Sequence, residues 1–90
     1  MIKWSVWFST EAKKDFIKLD KSLRRRIVEK LEWLVANFDS VKPISLTADW
    51  RDFFKLRIGS WRAVYKIDYN NNLIRVYTID RRDKIYKRKV

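Results

Sequence analysis

The sequence of 90 residues has no histidine, no cysteine, one glycine and one proline. Without cysteine it forms neither a disulfide framework nor a thiolate metal site, which fits a reducing compartment. Without histidine it lacks the side chain whose ordinary pKa best suits proton transfer near neutral pH. Because no linker-like, repeated or low-complexity segment interrupts the chain, residues 1–90 are predicted to form a single domain.

Long apolar runs are missing as well. No stretch approaches the length of a membrane-spanning helix, and the first residues alternate charged and aromatic side chains instead of forming a signal peptide. These features predict a cytoplasmic protein with no membrane partner. Five Trp, five Phe and four Tyr in a chain that is 47% hydrophobic are enough for one core.

Positive charge is abundant and unevenly placed. Twenty-two Lys and Arg against eleven Asp and Glu give a net charge of +11 and an isoelectric point near 10.2. Residues 51–90 carry twelve basic and four acidic side chains, a net +8, so the second half of the chain is where an anion is expected. Nucleic acid is the default partner of such a protein, although charge alone fits a well-solvated surface equally well.

The first half of the chain is predicted to be a strand followed by two helices. Apolar side chains recur at every second position over residues 2–8, the period of a half-buried strand. Ser9 or Thr10 is suited to cap a first helix. After a break at Asp20, apolar residues spaced by three and four predict a second helix that runs to about Phe38 and lies antiparallel to the first.

Three other features of this half have plain structural interpretations. The arginines at 24–26 are expected on a solvated helix face, with Arg25 paired to Glu29 one turn on. Trp33 lies off the apolar stripe and is predicted to be exposed. The pattern lapses over residues 39–50, around the single proline, which indicates a loop.

The segment "DFFKLRIGSWRAVYKI" predicts a β-hairpin with a two-residue type II′ turn at Gly59-Ser60. The register sets Ile58 opposite Trp61, Arg57 opposite Arg62, Leu56 opposite Ala63 and Lys55 opposite Val64. One face is then apolar, with Phe54, Leu56, Ile58, Trp61, Ala63, Tyr65 and Ile67. The other face is basic, with Lys55, Arg57, Arg62 and Lys66.

The predicted opposition of Arg57 and Arg62 destabilises the hairpin by up to about 1 kcal/mol. An anion that bridges the two guanidinium groups would relieve the repulsion, and a phosphate suits their planar sets of donors. The alternative is that both side chains extend separately into water.

Tyr69 to Asn72 predict a second turn, followed by a further alternating strand. Pairing Asp68 with Leu73 is expected to place Ile74, Val76 and Thr78 on the core face and Arg75 and Tyr77 on the basic face. The pattern as a whole predicts an α+β fold, with an N-terminal strand, two antiparallel helices and a three- to four-stranded antiparallel sheet packed on them. The terminal stretch "TIDRRDKIYKRKV" surrounds Tyr86 with six lysines and arginines, and it is expected beside the basic face.

These elements resemble the RelE/ParE superfamily of toxins from type II toxin–antitoxin systems. The resemblance begins with "FSTEAKKDFIKLDKSLRRRI" and covers nearly the whole chain. Its most specific part is the pattern G-x-[aromatic]-R-x-x-Y, formed by Gly59, Trp61, Arg62 and Tyr65. A terminal arginine with a tyrosine four residues on, Arg82 and Tyr86, completes it.

The resemblance implies a RelE-like fold, which does not by itself settle activity. RelE toxins enter the ribosomal A site and cleave mRNA, whereas ParE toxins poison DNA gyrase. It also implies an acidic, RelB-like antitoxin that folds on binding, in a toxin–antitoxin hetero-oligomer. The implied catalytic residues are Lys55, Arg62, Arg82 and Tyr86, and RNA contacts are expected from Arg57, Lys66, Arg81 and Lys84.

Two positions depart from the superfamily pattern. Phe53 stands where RelE toxins place a second lysine, and Asp80 replaces a glycine before the terminal basic pair. The missing amine at Phe53 is expected to reduce activity or to shift the role of the base.

RNA cleavage by the 2′-hydroxyl requires a base, an acid and cations around the phosphate. With no histidine, a lysine or tyrosine must move the protons, and both normally titrate near pH 10. A metal-dependent nuclease is the rival, but its only candidate carboxylates, Asp80 and Asp83, lie among arginines, so neither a metal nor a cofactor is predicted. Tyr86 also has a plain interpretation as a cap on the sheet edge.

The sequence therefore predicts a metal-independent, ribosome-dependent mRNA endoribonuclease that inhibits translation. A gyrase poison without catalytic activity and a catalytically silent binding module are the alternatives.

Overall fold

The computed structural model describes residues 3–46 and 51–87. The strands are β1 (Ser5–Phe8), β2 (Ile44–Ser45), β3 (Phe54–Ile58), β4 (Trp61–Asp68) and β5 (Leu73–Arg81). The helices are α1 (Thr10–Ile17) and α2 (Lys21–Ala36), and short 3-10 turns cover Phe38–Ser40 and Ile85–Lys87. Three parts of the predictions lie outside the described residues: Ile2 of the predicted first strand, the end of the predicted loop at Trp50, and the last three residues of the basic terminus.

The five strands form one mixed sheet in the order β1-β5-β4-β3-β2. The predicted α+β arrangement of a strand, a helix pair and a later sheet is confirmed, but the sheet has more strands than expected and is not wholly antiparallel. β1 pairs in parallel with β5, while the remaining pairs are antiparallel. The alternation in residues 2–8 identified a strand, but it holds no information about which strand would be its neighbour. Neither helix in the described ranges is long and apolar enough to cross a membrane.

Both helices begin at the predicted residues because side-chain oxygens accept from free backbone N–H groups there. Ser9 Oγ accepts from the amide of Ala12 at 3.0 Å, and Asp20 Oδ1 accepts from that of Leu23 at 2.8 Å. The second helix ends at Ala36, two residues before the predicted end. Asn37 Nδ2 donates to the carbonyl of Trp33 at 2.8 Å, which satisfies an acceptor of the last turn.

The hairpin between β3 and β4 has the predicted register at all four positions named above. Gly59 has a φ of 60°, a left-handed conformation that glycine adopts without steric cost and that the predicted type II′ turn requires. Asp68 pairs with Leu73 as predicted. The carboxylate of Asp68 accepts from the backbone and side chain of Asn71 and so fixes the second turn.

One predicted side-chain position is wrong, because β5 contains a bulge. Tyr65 pairs with Val76, whereas Val64 pairs with Thr78, so Tyr77 is an extra residue on β5. Beyond Tyr77, the alternation of the β5 side chains between the two faces of the sheet is therefore shifted by one residue. Thr78 is buried as expected, but beside Val64 on the sheet face away from the helices. Ser9 stabilises the bulge, since its Oγ donates to the carbonyl of Tyr77 at 2.9 Å.

The main core lies between the helices and one face of the sheet. Its fully buried members include Ile27 and Leu34 from α2, Tyr65 from β4 and Ile74 from β5. Burial raises the pKa of Tyr65 to about 12, with a smaller contribution from Tyr69, so this phenol stays neutral inside the core.

A second, smaller core lies on the other face of the sheet, called the open face below. Leu46, Val64 and Ile85 are buried there, and Phe53 packs against them. Because Val64 comes from the middle of β4 and Ile85 from the last turn, this cluster attaches the C-terminal segment to the open face.

Candidate active site

A lysine and a tyrosine meet on the open face. Lys55 Nζ donates to Tyr86 Oη at 3.0 Å and lies 5.7 Å from the centroid of the phenol ring. Lys55 comes from β3 and Tyr86 from the C-terminal 3-10 turn, 31 residues later. Tyr86 is 42% exposed, so its hydroxyl is accessible to a ligand that lies on this face.

Two contacts hold the segment that carries Tyr86. The amide of Arg82 donates to the carbonyl of Ser60 at 2.8 Å, which places the backbone of Arg82 beside the hairpin turn. Three residues on, the side chain of Ile85 is 1% exposed against Val64 and Leu46. Tyr86 is therefore positioned by an apolar anchor next to it in the sequence.

The guanidinium group of Arg62 is held against the same turn. Its Nη1 atom donates to the carbonyls of Gly59 and Trp61, both at 2.8 Å. These bonds occupy only one nitrogen of a group that has five N–H donors. Arg62 lies opposite Asp80 on β5 and opposite its predicted neighbour Arg57 on β3, and Arg57 is exposed.

The other predicted RNA contacts are spread more widely. Lys66 Nζ lies on the open face, 4.5 Å from the centroid of the Phe53 ring. Lys84 is exposed in the turn that leads to Tyr86. Arg81 pairs in register with Trp61, a residue packed against the main core, and its Nε is 3.9 Å from Asp83 Oδ1. Strand alternation therefore directs Arg81 toward the helix side of the sheet, away from the Lys55–Tyr86 pair.

Sequence reasoning missed the role of two residues near the site. Arg26 is exposed, as expected for the arginine triplet, but it also reaches the hairpin turn, where a Cβ on Gly59 would lie only 2.7 Å from its Nη2. The expected ion pair between Arg25 and Glu29 does not form among the described residues. Ile85 is the other case, and its signal was that it is the one aliphatic residue between Asp80 and Lys89, where most side chains are charged.

No group of three or more metal-ligating side chains lies together within residues 3–46 and 51–87. Among these residues the shortest ion pair joins Asp68 to Arg75 on the open face, with Arg75 Nη2 2.8 Å from Asp68 Oδ2. Hydrogen bonds from Asn71 and then Arg75 lower the pKa of Asp68 from 3.8 to about 2. The carboxylate of Asp68 is therefore already committed to a neighbouring cation.

The fold is that of RelE-type toxins. It is similar to the toxin–antitoxin complex RelBE2 from Mycobacterium tuberculosis, with a TM-score of 0.77 and 25% identity over 89% of this chain and 99% of that chain. A mutant of the E. coli toxin RelE in the free state also gives a TM-score of 0.77, at 18% identity over 94% of this chain and 90% of that one. For the YoeB–YefM complex from Staphylococcus aureus the TM-score is 0.68, at 22% identity over 88% and 97% of the two chains.

The sequence model of the ParE toxin of the type II toxin–antitoxin system parDE matches residues 6–86. The chain therefore belongs to the ParE toxin family, and the predicted membership of the RelE/ParE superfamily is confirmed. No curated protein matches the chain by sequence.

Proposed function

We propose that this toxin is a metal-independent endoribonuclease that cleaves mRNA in the ribosomal A site and so inhibits translation in the cytoplasm. The observation that carries the proposal is the 3.0 Å contact between Lys55 Nζ and Tyr86 Oη on a face that also holds Arg62 and the backbone of Arg82. These are the residues that RelE-like nucleases are expected to use.

The proposed reaction needs no water in its first step. The 2′-oxygen of one nucleotide attacks the adjacent phosphorus, the bond from phosphorus to the 5′-oxygen breaks, and a 2′,3′-cyclic phosphate and a 5′-hydroxyl result. One proton leaves the 2′-hydroxyl and one reaches the departing 5′-oxygen. Lys55 and Tyr86 are the proposed acid and base, and their hydrogen bond lets a proton pass between them.

Arg62 and Arg82 are proposed to stabilise the charge that grows on the non-bridging phosphate oxygens. Arg62 does so with the guanidinium nitrogens that the turn carbonyls leave free. Arg57, Lys66 and Lys84 are assigned the weaker role of orienting the RNA, whereas Arg81, which is directed toward the helix side, is left out of the proposed site.

The exposure of the site favours dependence on the ribosome. Tyr86 is 42% exposed and Arg82 is also exposed, so the protein alone does little to hold RNA in line for attack. Positioning by a larger partner supplies a large part of catalysis in such a case. Phe53, which stands at the place expected for a second lysine, further weakens the isolated site.

The test is cleavage of a defined message on programmed ribosomes in the presence of EDTA. The parent toxin should cut, and Tyr86→Phe and Arg62→Ala should each lower the single-turnover rate by about 10² or more. Tyr69→Phe is the matched control, because Tyr69 is a 69% exposed tyrosine at the turn between β4 and β5. Intact message under conditions in which a control RelE toxin cuts would overturn the proposal.

A gyrase poison is the second candidate, favoured by the match of residues 6–86 to the ParE family. Inhibition of gyrase in a supercoiling assay, with no cleavage on ribosomes, would establish it. Growth arrest that survives combined Arg62→Ala and Tyr86→Phe substitution would favour either this poison or a catalytically silent binding module over the nuclease.

An antitoxin is the proposed inhibitory partner. The solved RelBE2 and YoeB–YefM structures are toxin–antitoxin complexes, and a chain with a net charge of +11 attracts an acidic segment. Such a segment is expected to be disordered alone and to fold as it covers the basic surface. A short acidic reading frame beside the gene, whose product co-purifies with this toxin, would support the assignment.

A further inference from the structure

A row of aromatic and cationic side chains crosses the open face beside the candidate active site. Lys66 on β4 pairs with Arg75 on β5, and Arg75 pairs with Trp7 on β1. Phe53, which directly precedes β3, continues the row, and the ammonium group of Lys66 lies 4.5 Å from its ring centroid. Tyr77, the bulge residue, joins the two ends, with ring centroids 6.2 Å from Trp7 and 5.8 Å from Phe53. We call these five residues the aromatic row.

The row is held rigidly although it is partly exposed. Arg75 donates from Nε and Nη2 to Asp68 Oδ2, at 3.1 and 2.8 Å, and its guanidinium carbon lies 4.9 Å from the centroid of Trp7. Trp7 is thus held by Arg75 and by the edge contact with Tyr77, yet it remains 41% exposed. A fixed, exposed indole binds a flat ligand with little loss of conformational entropy.

The charges of the row favour a nucleic acid base over an acidic peptide. The carboxylate of Asp68 already neutralises Arg75, so Lys66 is the row's one cation without an ion pair among the described residues. The row therefore exposes mainly aromatic surface. Proteins that bind single-stranded nucleic acid without sequence preference do so by stacking its bases on aromatic rings.

We propose that the aromatic row is a stacking platform for bases of single-stranded RNA that enters the candidate active site. Phe53 precedes Lys55 by two residues, about 7 Å along an extended chain. Bases on the row would therefore lie next to the nucleotide whose phosphate reaches Lys55 and Tyr86. The inference rests on the proposed function for the identity of the strand as a message, but not for the ability of the row to bind bases.

The test measures binding of two fluorescent RNA probes to the full chain by anisotropy at fixed low salt. One probe is an octamer of uridine, and the other is the same backbone with every base removed. Trp7→Ala should weaken binding of the uridine octamer about 5- to 100-fold and leave the abasic probe unaffected. Trp7→Tyr, which keeps a ring, should restore most of the affinity.

Trp33→Ala is the matched control. Trp33 is 47% exposed with Lys30 Nζ 4.4 Å from its ring, but it lies on α2 and not on the open face. Trp33 lines a groove with Lys55 and Arg57, so any effect of its loss should be the same for both probes and the preference for the uridine octamer should remain. Circular dichroism of each variant establishes that it is folded before binding is compared.

Two results would overturn the platform. One is equal binding of both probes by the parent, and the other is an equal loss of affinity for the uridine octamer in the Trp7→Ala and Trp33→Ala variants. Cleavage on ribosomes is scored separately. Base-dependent binding without cleavage would reject the proposed nuclease and keep the platform. Cleavage that is unaffected by Trp7→Ala, together with equal binding of both probes, would reject the platform and keep the proposed nuclease.

Discussion

Replacing Ile85 with alanine should release the segment that carries Tyr86 from the sheet. Ile85 is 1% exposed and contacts Val64, Leu46 and Phe53 in the small core of the open face. Buried Ile-to-Ala substitutions cost 2–5 kcal/mol, and a cluster of this size near the surface belongs at the lower end, about 2 kcal/mol. A loss of about 2 kcal/mol lowers the ratio of docked to released segment roughly 30-fold.

Limited proteolysis with trypsin measures this ratio, because the segment contains cleavage sites at Arg81, Arg82, Lys84 and Lys87. Cleavage of a transiently open segment follows its equilibrium population when opening is fast. The rate of C-terminal cleavage, followed by mass spectrometry, should therefore rise about 30-fold in the Ile85→Ala variant. Ribosome-dependent cleavage of mRNA should fall once the released form is appreciably populated, since Lys55 then loses its partner.

Ile85→Val provides the graded control. It removes one methylene group and should cost 0.5–1.5 kcal/mol, equivalent to a rise of roughly 2- to 12-fold in tryptic cleavage. If both variants are cut at the parent rate, the segment is held by something other than Ile85, and the explanation of how Tyr86 is positioned is wrong.

Two further predictions concern the turns. Gly59→Ala should destabilise the fold by about 1–2 kcal/mol in urea denaturation, because the φ of 60° disfavours any Cβ, and Ser60→Ala should change it little. The pKa of Asp68 is lowered from 3.8 to about 2, so its stabilising effect is complete above pH 4 and is lost as the pH falls toward 2. Asp68→Asn should therefore flatten the fall in Tm between about pH 4 and 2, as measured by thermal unfolding at each pH.

The hairpin could be predicted because its information is local. Two alternating runs around Gly59-Ser60 determine both the turn and the side of the sheet on which each residue lies. The helix starts at Ser9 and Asp20 were predictable for the same reason, since a capping oxygen acts within three residues.

Features that depend on distant contacts could not be predicted in this way. The bulge at Tyr77 is stabilised by a hydroxyl 68 residues away, so nothing near Thr78 shows that the strand reverses its facing there. The parallel pairing of β1 with β5 depends likewise on the path of the whole helix pair. The position of Tyr86 beside the basic face was predicted from the sequence, but its contact with Lys55 was not, because it depends on the packing of Ile85 against distant residues. The aromatic row was not expected at all.

The two faces of the sheet explain how the chain tolerates so much positive charge beside a small core. On the helix side, 14 buried residues pack together, and full burial of each large aliphatic side chain contributes about 1.5–3 kcal/mol. The opposition of Arg57 and Arg62 on the other side costs at most about 1 kcal/mol, which the carbonyls of Gly59 and Trp61 partly offset. Stability is thus supplied mainly on the helix side, so the open face can hold cations and exposed rings beside its smaller core.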